Sequence, residues 1–209
     1  MYMKYEALIQ QFANRNCIET VEVALWFNEP VRQIQSRISR WVQQDKLIQL
    51  RKGKYLLPEV YRKAPLSAYS ISNKLYHPSY VSLESALDFY GMIPEAIYSI
   101  QGITTRQTKS WHTPLGLFSY QHIKQERFFG YEQVQFSNEV PFFCAAPEKA
   151  LIDLFYFGKG EWNEARINEM RFQNIENINM KVFKKMGKKM NSKKVNAAIH
   201  VFSKIRNKL

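Results

Sequence analysis

Between residues 28 and 57 the chain reads "NEPVRQIQSRISRWVQQDKLIQLRKGKYLL", a helical pattern followed at once by a hairpin pattern, and few folds accommodate that order. The first half places Ile34, Ile38 and Trp41 on one helix face. Pro30 suits a first turn that loses no amide hydrogen bond, and Asn28 or Glu29 is available to the free amides. The second half holds two short apolar runs, Leu47, Ile48 and Leu50, then Tyr55, Leu56 and Leu57. They are joined across Gly53, the residue that supplies the positive φ of a tight hairpin. Upstream, Tyr5, Leu8, Ile9 and Phe12 recur at the spacing of an amphipathic helix over residues 2–13, and "TVEVALWF" predicts a second helix that Thr20 can cap. Three helices followed by a basic hairpin predict a winged helix-turn-helix over residues 1–60.

The outer face of the third helix has an unusual composition. Arg32, Ser36 and Arg40 fall in a row at four-residue spacing, with Gln33, Arg37 and Ser39 beside them and no acidic residue between Val31 and Gln44. Solvated helices usually mix both charge signs for i, i+4 pairing. A face of only Arg, Gln and Ser offers donors to an anion and to base edges, so this helix is expected to enter the major groove of double-stranded DNA. The turn "RKGKY" then places Arg51, Lys52 and Lys54 where they can neutralise backbone phosphates.

The proline-bearing segment "PEVYRKAPLS" predicts a domain boundary near residues 58–66. Beyond it, residues 64–209 predict a mixed α/β domain. A helix, a Pro-containing turn at His77 to Ser79 and a second helix capped by Ser82 and ended by Gly91 come first. The stretches "AIYSIQGIT", "WHTPLGLFSYQHI", "FFGYEQVQF" and "VPFFCAA" follow and predict a small antiparallel sheet. The helix "PEKALIDLFYF" and lysine-rich C-terminal helices complete an α+β fold. Charge divides the same way: residues 1–63 carry 11 Lys and Arg against 6 Asp and Glu, residues 64–180 carry 9 against 12, and residues 181–209 carry 10 against none. Basic ends flanking an acidic middle suggest that the ends meet a polyanion. Cys17 and Cys144 lack disulfide or metal-knuckle spacing and predict buried thiols in a reducing cytoplasm. No signal peptide or membrane span is expected.

Chemistry is sparse. His77, His112, His122 and His200 lack the spacing of a helical zinc site, and no phosphate-binding glycine loop or nucleophile elbow occurs. The enzymatic alternative is a metal-dependent nuclease with a DNA-reading domain, for which Glu84, Asp88, Glu148 and Asp153 are the candidate carboxylates. No cofactor is expected.

Taken together, "LYHPSYVSLESALDFYGMIPE", "ITTR", "RFFGYE" and "APEKALIDLFYF" resemble the AbiEi antitoxin of the AbiE type IV toxin–antitoxin family, over roughly residues 15–160. The resemblance implies a bacterial abortive-infection protein. Its N-terminal domain would bind inverted repeats in the promoter of its own operon and repress it. Its C-terminal domain would counteract a cognate AbiEii-type toxin, a nucleotidyltransferase-like enzyme. The matching positions include Tyr80, Glu84, Arg106, Glu148 and Lys149 as candidates for antitoxin function, with Ser82, Pro94, Thr105 and Gly130 beside them.

Overall fold

The computed structural model describes residues 3–135 and 140–207; Tyr2, Phe136 and Lys208, which fall in an expected helix, strand and basic tail, lie outside them. The chain is an α+β protein. It opens with helix α1 (Tyr5–Phe12), strand β1 (Ile18–Glu19), helices α2 (Thr20–Phe27) and α3 (Val31–Gln43), and strands β2 (Ile48–Arg51) and β3 (Lys54–Leu56). Leu8, Phe12, Val23, Ile34, Ile38 and Tyr55 close a core between the helices and the hairpin. Gly53 makes the turn at φ 84°. The sheet runs in the order β1-β3-β2, with Ile18 opposite Tyr55 and Glu19 opposite Lys54. Two residues are too few to show an alternating pattern, and β1 was not expected for that reason.

The helix ends differ from expectation. Asn28 adopts the left-handed conformation and terminates α2, while Glu29 turns to Met3 and Arg37, so neither caps α3. The Thr20 hydroxyl is buried and caps nothing.

The second part of the chain contains α4 (Ala68–Leu75), β4 (Ser79–Val81), α5 (Leu83–Phe89), β5 (Ser99–Thr104), β6 (Lys109–Thr113), β7 (Gly116–His122), β8 (Tyr131–Val134), β9 (Phe142–Ala145), α6 (Pro147–Phe157), α7 (Glu164–Glu169), α8 (Met180–Met190) and α9 (Lys193–Arg206). Its six strands are ordered β6-β7-β5-β4-β9-β8. The sheet is mixed, not antiparallel as the sequence predicts, because β5 pairs parallel with β7 and β4 pairs parallel with β9. The cause is β4, a strand hidden in the segment expected to turn at His77 to Ser79, which inserts between β5 and β9.

Helix α6 is buried on every side from Glu148 to Phe155. The basic C-terminal segment forms the helices α8 and α9, which lay Phe183 and Phe202 against Phe155, with ring centroids 5.5 to 6.3 Å apart. Its lysines therefore ride on an amphipathic surface whose inner side is core. Among the described residues no helix is long and apolar enough to cross a membrane.

A third apolar cluster crosses the boundary expected near residues 58–66. Cys17, Leu50 and Leu56 pack with Ile71, Leu75, Phe118 and Tyr120. Asn16 donates to Ser70 at 2.8 Å and the Lys63 amide donates to the Ala13 carbonyl at 2.9 Å. The two thiols are buried, as the sequence predicts, and burial pushes Cys17 up to about 11 and Cys144 up to about 12 from 9.0. A raised folded value means that the unfolded chain ionises first. The stability tied to these thiols is complete below about pH 9 and is lost as pH rises towards 12. Urea midpoints measured from pH 8 to 12 are expected to fall across this window, and Cys144→Ala to fall less steeply; parallel curves would remove Cys144 from the cause.

Candidate nucleic-acid interface and a buried lysine network

The periodicity of α3 buries Ile34 and Ile38 and turns Arg32, Gln33, Ser36, Ser39 and Arg40 outwards, all exposed. Arg37 does not join them. It is 6% exposed, and its guanidinium donates to the Met3 carbonyl at 3.1 Å and pairs with the Glu29 carboxylate. The sequence expectation of a DNA contact at Arg37 is corrected on this ground: at one step beyond Ser36 the helix has rotated it to the flank that meets the start of α1. Arg37→Ala leaves Glu29 without its partner and is expected to cost about 1–3 kcal/mol of stability. The salt dependence of any DNA binding should stay unchanged, and a shallower salt slope in the folded variant would return Arg37 to the interface.

The three cations of the β2–β3 turn also diverge. Lys52 is exposed at the tip. Arg51 turns back, donating through Nε to the Leu75 carbonyl at 2.8 Å and lying 5.2 Å from the centre of the Trp111 ring. Lys54 pairs with Glu19.

Three of the motif segments meet elsewhere, beneath the sheet. Lys149 and Asp153 face each other one turn apart on α6, both fully buried. Lys149 donates to Asp153 and, at 2.9 Å, to the Tyr80 hydroxyl. Tyr80 donates to Asp153 Oδ2 at 3.0 Å, and Ser82 donates to the same oxygen at 2.8 Å. The carboxylate thus accepts from three side chains, and every member of the network has a partner. Burial pushes the Lys149 ammonium below the ordinary lysine value against the pull of Asp153. Burial, then the Asp153 carboxylate, pushes the Tyr80 phenol well up and keeps it a donor. Gly130, from "RFFGYE", sits at φ 73° with the Lys149 stem so close that an added Cβ would lie 3.2 Å from it.

Ser82 stands at the start of α5 as the sequence predicts, yet its hydroxyl is spent on Asp153 and caps no amide. The next residue, Leu83, is held at φ 56°, a conformation costly for a residue with a branched side chain, directly beside the network. Asp153 is the centre that sequence reasoning missed; the i, i+4 spacing of Lys149 and Asp153 was the available signal. Arg127 was also missed. It donates to the Met190 and Asn191 carbonyls at 2.8 and 3.2 Å, holding the C-terminal end of α8, where a cation is favoured.

No protein-family model matches the chain, and comparison with curated proteins finds no match.

The other expected positions lie apart from the network's centre. Glu148 is mostly buried and accepts from the Asn179 amide at 2.8 Å. Glu84 accepts from Gln101 at 3.3 Å, and Asp88 accepts from Tyr69 at 2.9 Å. The four carboxylates of the nuclease alternative are therefore engaged in four separate contacts. Among the described residues no three His, Cys, Asp or Glu side chains converge to hold a metal ion. Arg106 is exposed, 5.7 Å from the centre of the Tyr76 ring.

Proposed function

We propose that the chain is a type IV antitoxin that represses its own operon, binding promoter DNA through a winged helix-turn-helix in residues 1–60. The observation that carries the DNA reading is the outward face of α3, where Arg32, Gln33, Ser36 and Arg40 are all exposed without an acidic neighbour on the helix. The three-helix core and the β2–β3 hairpin support it, with Lys52 at the wing tip free to reach a phosphate. The antitoxin reading rests on the resemblance of the second part of the chain. Tyr80 and Lys149 serve it by holding β4 to α6, and Glu84 and Arg106 are the candidates within reach of solvent.

The test is direct. The full chain should bind a duplex carrying inverted repeats from upstream of its own reading frame more tightly than a random duplex of equal length, and repress a reporter driven by that segment. Coexpression with the adjacent nucleotidyltransferase-like toxin should restore growth. Absence of duplex binding overturns the repressor reading, and unrelieved toxicity overturns the antitoxin reading.

A further inference from the structure

Two wing cations, Arg51 and Lys54, line a polar cleft of about 440 Å³ together with Glu19 and with Asn73, Lys74, His77 and Arg106 from the second part of the chain. Four permanent cations converge there on one carboxylate, and Glu19 is already bound to Lys54. Among the described residues neither Lys74 nor Arg106 has an ion-pair partner. Asn73 spends its side chain inside the fold, on the Ser79 carbonyl and the Phe143 amide. Like charges gathered without a counter-charge repel one another, and an anion with several oxygens relieves that cost. Arg106 brings a planar fork suited to phosphate oxygens, and Lys74 a compact point charge.

We propose that this cleft takes a phosphate group of the same DNA duplex that α3 and the wing engage, so that the DNA-contact surface continues from Lys52 onto Lys74 and Arg106. The inference rests on the repressor reading and extends it beyond residue 60. Arg51 fixes the geometry. Anchored to the Leu75 carbonyl and to Trp111, it aligns the base of the wing with α4, whose last turn carries Lys74. A phosphate contacting the wing therefore meets cations from both parts of the chain at once.

The experiment compares the unsubstituted chain with Lys74→Ala/Arg106→Ala and with the charge-keeping Lys74→Arg/Arg106→Lys, measuring duplex affinity over a salt series. Both residues are exposed, so melting temperatures should match. The alanine pair should weaken binding to operator and random duplexes alike and flatten the salt slope by about 1.8, from about 0.9 per lost contact. The charge-keeping pair should retain the slope. An unmoved slope in a chain that still binds duplex overturns the cleft assignment and leaves the repressor reading standing, whereas absence of any duplex binding overturns both. Inorganic phosphate is the second probe. Stabilisation by phosphate that disappears in the alanine pair, with an unmoved duplex slope, would assign the cleft to a free anion instead of the DNA backbone.

Discussion

Asp153→Ala is expected to destabilise the protein by about 3–5 kcal/mol, the usual cost of removing one partner from a buried ion pair. The substitution strips the only carboxylate from a space that still contains the Lys149 ammonium, the Tyr80 phenol and the Ser82 hydroxyl. Water cannot replace it where all four residues are fully buried. Lys149→Ala should cost a comparable amount from the opposite side. Removing both charges with Lys149→Met/Asp153→Leu should cost less than the two single losses combined, because no charge is then stranded. Urea unfolding of the three variants completes the cycle. A loss below about 1 kcal/mol for Asp153→Ala would show that the network is not what ties β4 to α6.

The second large effect is expected at α3. Replacing Arg32, Gln33 and Arg40 together with alanine should abolish the preference for the operator over random DNA. Good base contacts contribute about 1–3 kcal/mol each. Losing two such contacts lowers operator affinity by about 30-fold at the low end of that range. Lys52→Ala should act differently, weakening every duplex alike and reducing the salt slope by about 0.9 for its one phosphate. A triple variant that weakens operator and random duplexes equally would show that this face grips the backbone and reads no bases.

These expectations differ in how they could be reached from sequence. The α3 face was legible because helical periodicity fixes which residues point away from Ile34 and Ile38, with no knowledge of the rest of the fold. Arg37 defeated the same reasoning. A position at the edge of the apolar stripe is exposed or buried according to what lies against it, and here the Glu29 carboxylate and the Met3 carbonyl come from two other segments. Long elements were readable for the same local reason, as "TVEVALWF" and "PEKALIDLFYF" coincide with α2 and α6. The parallel pairings were not readable. β4 is three residues long, follows a proline, and owes its place to strands from distant parts of the chain. The lysine network lay between these cases: the α6 spacing was visible, but Tyr80 and Ser82 arrive from some seventy residues away.

The apolar cluster of Cys17, Leu50 and Leu56 with Ile71, Leu75, Phe118 and Tyr120 bears on how the chain can be dissected genetically. Cutting between residues 63 and 64 would leave Ile71, Leu75 and Phe118 facing water on one fragment and Leu50 and Leu56 on the other. Both fragments would then carry a sticky scar, and aggregation could be mistaken for lost activity. Repression and protection are therefore better separated by surface substitutions in the intact chain than by truncation.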